Sequence, residues 1–157
     1  MEEKNINIKY KEYDSAQMLP ADYRQLLDKA LKATANSYAP YSGFHVGAAV
    51  KMSGGETVTG SNQENAAYPS GLCAERVALF HAHHTFPNEA VKAIAVIAKD
   101  NQGNIAPSLT VPCAACLQVL VESEKRGNCK IAIIIGSATK VIVVDSVENL
   151  LPFSFGK

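Results

Sequence analysis

The chain has 157 residues, 47% of them apolar, which is enough for one hydrophobic core and not comfortably for two. Lysine and arginine number 15 and aspartate and glutamate 15, so the formal net charge is zero. That balance argues against a nucleic-acid footprint, which shows as a basic excess, and against intrinsic disorder, which needs low hydrophobicity and high net charge. Apolar runs such as Ile131 to Ile135 and Val141 to Val144 fall far short of the ~20 residues of a membrane span.

The N-terminal stretch MEEKNINIKYKEYD is polar and charged. It lacks the apolar segment of a secretory signal, so the expected compartment is the cytoplasm, where thiols stay reduced. Cys73, Cys113, Cys116 and Cys129 therefore read as metal ligands, nucleophiles or core thiols rather than as disulfides.

Residues 5–10 alternate as Asn-Ile-Asn-Ile-Lys-Tyr, a short strand pattern that suits an edge strand or a partner-binding arm. Pro20 opens a helix in which Tyr23, Leu26, Leu27, Ala30 and Leu31 form one buried stripe, before Pro40 and Gly43 break the pattern. Phe44 to Met52 reads as a strand, Gly54-Gly55 as a hairpin turn and Glu56 to Gly60 as the returning strand. A loop of small polar residues over 61–72 precedes a helix from Cys73 to His84. Val91 to Lys99 is a strand, followed by a polar loop to Val111. Pro112 suits the first position of a helix whose buried face is Leu117, Leu120 and Val121 and whose stop is Gly127. Lys130 to Gly136 and Lys140 to Val144 are dense in Ile and Val, as strands buried on both faces are. Glu148 to Leu151 forms a last helical turn. There is no repeat and no linker, and the order of elements predicts one mixed sheet with helices on both faces.

Chemistry concentrates in Cys73-Ala74-Glu75 and in Pro112-Cys113-Ala114-Ala115-Cys116. A C-x-x-C pair opening a helix puts two sulfurs on one face, and the free N–H groups at that end favour thiolates. Cys73 sits at a second predicted helix start. Two such termini facing each other could hold three thiolates around one Zn²⁺, leaving a fourth tetrahedral position for water, the mark of a catalytic site. Glu75 shares that site only if its helix begins at Cys73, because residues two apart within a helix point to nearly opposite sides. A carboxylate there is placed to move protons. Three thiolates make the zinc site net negative, so Arg76 is expected to hydrogen-bond the ligand sulfurs in compensation.

Competing readings are weaker. A redox C-x-x-C would be expected to carry the thioredoxin-like Trp or Gly-Pro, and neither is present. A structural zinc site needs a fourth ligand, and Cys129, which opens a strand, reads as a core thiol. His81 and His84 share the end of a helix where cations are favoured anyway. His45 reads as the outward side of its strand.

Together these residues resemble the cytidine deaminase family, of the small homotetrameric, three-cysteine zinc type. Three further segments carry the likeness: Phe44-His45-Val46-Gly47-Ala48-Ala49 resembles the family's F-x-V-G-A-A strand, Asn62-Gln63-Glu64-Asn65 its N-x-E-N loop, and Leu150-Leu151-Pro152 with Ser154-Phe155-Gly156 its C-terminal motif. The likeness spans roughly 37–157. It implies a three-layer α/β/α sandwich around a mixed five-stranded sheet, with residues 1–19 an N-terminal extension and 20–157 a single deaminase domain. It implies one Zn²⁺ per chain held by Cys73, Cys113 and Cys116, with Glu75 as catalytic proton shuttle. It implies that Phe44 stacks near the pyrimidine, that Asn62 and Glu64 bond the ribose hydroxyls, and that the Ala74 backbone meets the pyrimidine carbonyl. The Pro112 carbonyl would accept from the amino group, and Phe155 would reach into a neighbouring subunit's site.

The implied reaction is hydrolytic deamination of cytidine and deoxycytidine to uridine and deoxyuridine, with zinc-bound hydroxide attacking C4 and ammonia leaving. This chemistry is established for zinc deaminases as a class and is not a product of the spacing. The partners implied are a small pyrimidine nucleoside and further copies of the chain, with no nucleic acid and no membrane. Another aminopyrimidine nucleoside, such as blasticidin S, and a non-catalytic zinc module are the alternatives. The chain departs from the family pattern where Ala114 replaces a usual Gly and Leu117 a usual Arg before Gln118.

Overall fold

The most apolar stretches of the chain pair with one another. The computed structural model, which describes residues 1–156, places them in a six-stranded sheet. The strands are β1 (Lys11–Tyr13), β2 (His45–Met52), β3 (Thr57–Ser61), β4 (Val91–Lys99), β5 (Ala132–Gly136) and β6 (Val141–Val144), in the order β1-β6-β5-β4-β2-β3. β4 and β5 are parallel and the other neighbours antiparallel. The helices are α1 (Ala21–Ala33), α2 (Ala74–Thr85) and α3 (Ala114–Gly127), the last making the crossover that a parallel pair requires.

Side chains alternate across the sheet, so each strand feeds two cores. On one face Leu26, Leu27 and Ala30 of α1 meet Ala49, Ala95, Ile97, Ile134 and Val143. On the other, Ala78 and Leu79 of α2 and Leu117 and Leu120 of α3 meet Val50, Ile94, Val96, Ile133 and Ile135. This is the expected α/β/α sandwich, with six strands rather than five. Two glycines set how closely the layers approach. A Cβ on Gly47 would lie 2.0 Å from the Ala30 carbonyl oxygen, and one on Gly60 would lie 2.5 Å from the Ala78 nitrogen. Glycine at these positions lets α1 and α2 rest on the backbone of the sheet.

The sixth strand is β1, and it corrects the reading of the N-terminus. Residues 5–10 form no strand, and Ile6, Ile8 and Tyr10 are exposed. Pairing is confined to Lys11–Tyr13 because the partner, β6, ends at Val144 and Ser146 then caps a turn over Val147–Asn149. Ion pairs between Lys11 and Asp145 and between Glu12 and Lys140 flank this edge, and Leu19, within the expected extension, is buried against α1. A smaller correction falls at the end of α3. Gly127 is its last helical residue, and Asn128, at φ 46°, takes the left-handed position that Asn tolerates better than most residues.

The topology explains where a site can form. β3 and β4 both run antiparallel to β2, so they point the same way. Each is followed by a loop and then a helix on the same face. The N-termini of α2 and α3 are therefore brought to one end of the sheet.

Candidate active site

Cys73 is the N-cap of α2 and Cys113 the N-cap of α3, both with extended backbone (φ −69° and −68°) and neither using its side chain to cap its own helix. Their sulfurs are left to face each other across the two helix ends. Cys73 Sγ lies 3.8 Å from Cys113 Sγ, and Cys113 Sγ lies 3.5 Å from Cys116 Sγ. All three sulfurs fall within 4.8 Å of one another. Tetrahedral zinc with Zn–S near 2.3 Å places its ligand sulfurs about 3.8 Å apart, so the donor set fits that ion in both chemistry and spacing.

Arg76 points a guanidinium Nη2 at Cys73 Sγ, 3.6 Å away. The cluster shares charge unevenly. Hydrogen bonds from Cys116, Arg76 and Cys113 lower the Cys73 thiol to about 5. Cys116 is pushed up, first by its bond to the Cys73 sulfur and then by burial. Three adjacent sulfurs thus hold one negative charge readily and resist a second, a resistance that a divalent cation removes.

Because α2 begins at Ala74, Glu75 can turn toward the cluster. It is 4% exposed. Burial raises its carboxyl above the usual range, and the Cys73 charge adds to the effect. A raised carboxyl suits a group that must take up and release a proton near neutral pH.

Glu75, Cys73, Arg76 and Cys113 line a cavity of about 630 Å³ together with Phe44, Asn62 and Glu64. Ala74, the first residue of α2, is buried, and so is Pro112, which precedes the N-cap Cys113 and therefore lies outside the helix expected to open with it. Asn62 is turned toward the backbone: its Nδ2 donates to the Phe44 carbonyl and its Oδ1 accepts from the Val46 N–H, both at 2.8 Å. Glu64 is half-buried and accepts from the N–H groups of Tyr41 (3.0 Å) and Ser42 (3.2 Å) and from the Ser42 hydroxyl. The Ser42 hydroxyl bond is the main reason its carboxyl lies below the usual range.

Phe155 does not line this cavity, and its ring is 89% exposed. Cys129 stands outside the cysteine cluster, half-buried, with its thiol donating to the Val91 carbonyl at 3.5 Å. His81 and His84 are exposed in the later turns of α2. His45 is not simply outward-facing: its ring bridges the Ser37 hydroxyl at 2.6 Å and Asn101 Oδ1 at 3.0 Å. Leu117 is buried in the core between α3 and the sheet. Sequence reasoning missed Tyr41, Ser42, Tyr68, Thr110 and Val111, all of which line the cavity. They come from three separate loops with no shared spacing, although Ser42 sits two residues before the recognised Phe44 motif.

Comparison with known proteins agrees with this geometry. The family model for the cytidine and deoxycytidylate deaminase zinc-binding region matches residues 20–143. A cytidine deaminase of Halalkalibacterium halodurans is 37% identical over 134 residues, 85% of this chain and 94% of its own. One from Sporosarcina psychrophila is 36% identical over 87% of this chain and 93% of its own. Among solved structures, the cytidine deaminase of Mycobacterium tuberculosis superposes with a TM-score of 0.69 at 33% identity, covering 88% of this chain and 100% of its own. That of Burkholderia pseudomallei gives 0.69 at 35% identity, covering 85% and 98%. Two helix N-termini that gather three cysteines beside a buried glutamate thus sit inside the matched region, and the chain belongs to the cytidine and deoxycytidylate deaminase family of zinc-binding proteins.

Proposed function

We propose that this chain hydrolyses cytidine and deoxycytidine to uridine and deoxyuridine with release of ammonia. One observation carries the reading: a buried glutamate beside three clustered cysteines shares a cavity with Phe44, Asn62 and Glu64. Cys73, Cys113 and Cys116 hold one zinc ion, and Arg76 offsets the charge of the sulfurs. Bound zinc supplies Lewis acidity that makes a water easier to deprotonate. Glu75 takes the first proton of that water and delivers it to N3 of the pyrimidine while the water oxygen bonds to C4. It then passes the second proton to the departing amino group as the C4–N4 bond breaks, so that cytidine and water become uridine and ammonia.

The remaining wall orients the substrate. Phe44 stacks on the pyrimidine, the Ala74 N–H meets its carbonyl oxygen, and the Pro112 carbonyl accepts from the amino group. Asn62 keeps one Nδ2 hydrogen and Glu64 one of about four acceptor positions for the ribose hydroxyls. Residues 20–157 act as one deaminase domain with 1–19 as an extension. The chain works in the cytoplasm as a homotetramer in which Phe155 completes a neighbour's pocket. The exposed Phe155 ring supports that arrangement. Among the described residues no helix is long and apolar enough to cross a membrane.

The test is an ultraviolet assay of the zinc-loaded full chain against cytidine, deoxycytidine, cytosine and blasticidin S. Uridine and ammonia in equal amounts from cytidine are expected. Turnover of blasticidin S alone, or of nothing, refutes the reading. Sedimentation of the same sample should give four chains per particle.

A further inference from the structure

We propose that Ser42 is a positioning residue that sets the sugar specificity of this site by fixing Glu64. The proposal rests on the nucleoside reading above and extends it to a residue that the sequence motifs pass over. Glu64 lines the cavity and is half-buried. A partly exposed glutamate ordinarily samples several rotamers, and losing that freedom on binding weakens affinity. Here every donor recorded on its carboxylate comes from one short turn. The Tyr41 and Ser42 N–H groups reach Oε2, and the Ser42 hydroxyl donates to Oε1. Ser42 thus supplies two of the three bonds and the sole one to Oε1.

The same hydroxyl accepts from the Phe44 N–H at 3.0 Å. Its one proton is committed to Glu64 and a lone pair to Phe44, so its orientation is set from both sides. Tyr41, which anchors the turn, is itself braced by an edge-on contact with the Tyr68 ring at 6.1 Å. The carboxylate therefore has its free acceptor position fixed before a sugar arrives. A pre-set acceptor favours a ligand that brings a hydroxyl, and it leaves a charged group poorly used by one that does not.

The experiment is a thermodynamic cycle. Uridine and 2′,3′-dideoxyuridine are titrated calorimetrically into the zinc-loaded wild type, Ser42→Ala and Ser42→Thr, with cytidine turnover and melting temperature recorded on each. Wild type should prefer uridine. In Ser42→Ala the preference should fall about tenfold, the lower end of what a hydrogen bond to a charged group contributes. KM for cytidine should rise by a similar factor with kcat nearly unchanged, the signature of lost ground-state binding. Ser42→Thr keeps the hydroxyl and should restore the preference. Equal weakening of both ligands in Ser42→Ala, or weakening of neither, with an unchanged melting temperature overturns the proposal. So does a wild type that deaminates cytidine yet binds the two ligands alike. Failure of the nucleoside reading itself shows separately, as a wild type without cytidine turnover.

Discussion

Gln118 holds the backbone of Phe155 from both sides. Its Nε2 donates to the Phe155 carbonyl at 3.0 Å and its Oε1 accepts from the Phe155 N–H at 3.1 Å. Pairing with a side-chain amide in the manner of a strand neighbour fixes the backbone of the tail while the ring projects outward. Gln118→Ala should therefore act like a mild version of Phe155→Ala. An aromatic ring over a base contributes ~1–3 kcal/mol, so Phe155→Ala should raise KM by about five- to 150-fold and Gln118→Ala by less, both with zinc retained. Mixing Glu75→Gln with Phe155→Ala under subunit exchange should restore activity above the sum of the two. If mass spectrometry shows exchange and activity stays flat, Phe155 does not act across subunits.

Glu75→Gln keeps the shape of the side chain and removes its capacity to carry protons. Turnover should fall by at least ~10²–10⁴-fold. Zinc content by elemental analysis should stay near one per chain. Near wild-type turnover with zinc bound would remove Glu75 from the mechanism.

Zinc should stabilise the folded chain, because the ligand set is assembled from residues 40 apart in sequence and exists only after folding. At free zinc of 100 times its dissociation constant the gain is about 2.7 kcal/mol, which for a chain of this size corresponds to about 5–10 °C in Tm. Scanning calorimetry with and without a chelator measures this directly. Cys113→Ala should lose the metal, the shift and the activity together.

Arg76 is the cation placed against the sulfurs, with Nη2 at 3.6 Å from Cys73. Arg76→Gln should lower zinc affinity or turnover by ~10–100-fold, the usual cost of losing support behind a metal ligand. Competition with a chromogenic chelator reads the affinity. Circular dichroism should show the fold retained.

Thr110 lines the cavity and is buried, yet its Oγ1 has no hydrogen-bond partner among the described residues. A buried unsatisfied hydroxyl costs ~1–3 kcal/mol, and valine has nearly the same shape without the polar atom. Thr110→Val should raise the melting temperature of the ligand-free protein, by about 2–4 °C for each kcal/mol recovered. A fall on thermal denaturation would mean that the hydroxyl is satisfied in solution.

Local pattern was sufficient wherever chemistry and periodicity are short-range. The limits of β4, the start of α2 beside Cys73 and the stripe of Leu26, Leu27 and Ala30 are all legible within a few residues, because helix and strand periods are properties of neighbouring side chains, whereas α3 begins two residues after the Pro112 expected to open it. The three cysteines and Glu75 were legible for a related reason: few arrangements satisfy a metal, and those few carry a recognisable spacing. What only the tertiary structure decided depends on contacts between distant segments. The strand expected over 5–10 failed because pairing is set by how far β6 extends, some 130 residues away. The grip of Ser42 on Glu64, the inward turn of Asn62 and the hold of Gln118 on Phe155 join residues 16–37 positions apart. No local periodicity encodes such bonds. They form only once the sheet and its helices have brought the loops to one end of the molecule, where each polar group takes the partner that packing leaves within reach.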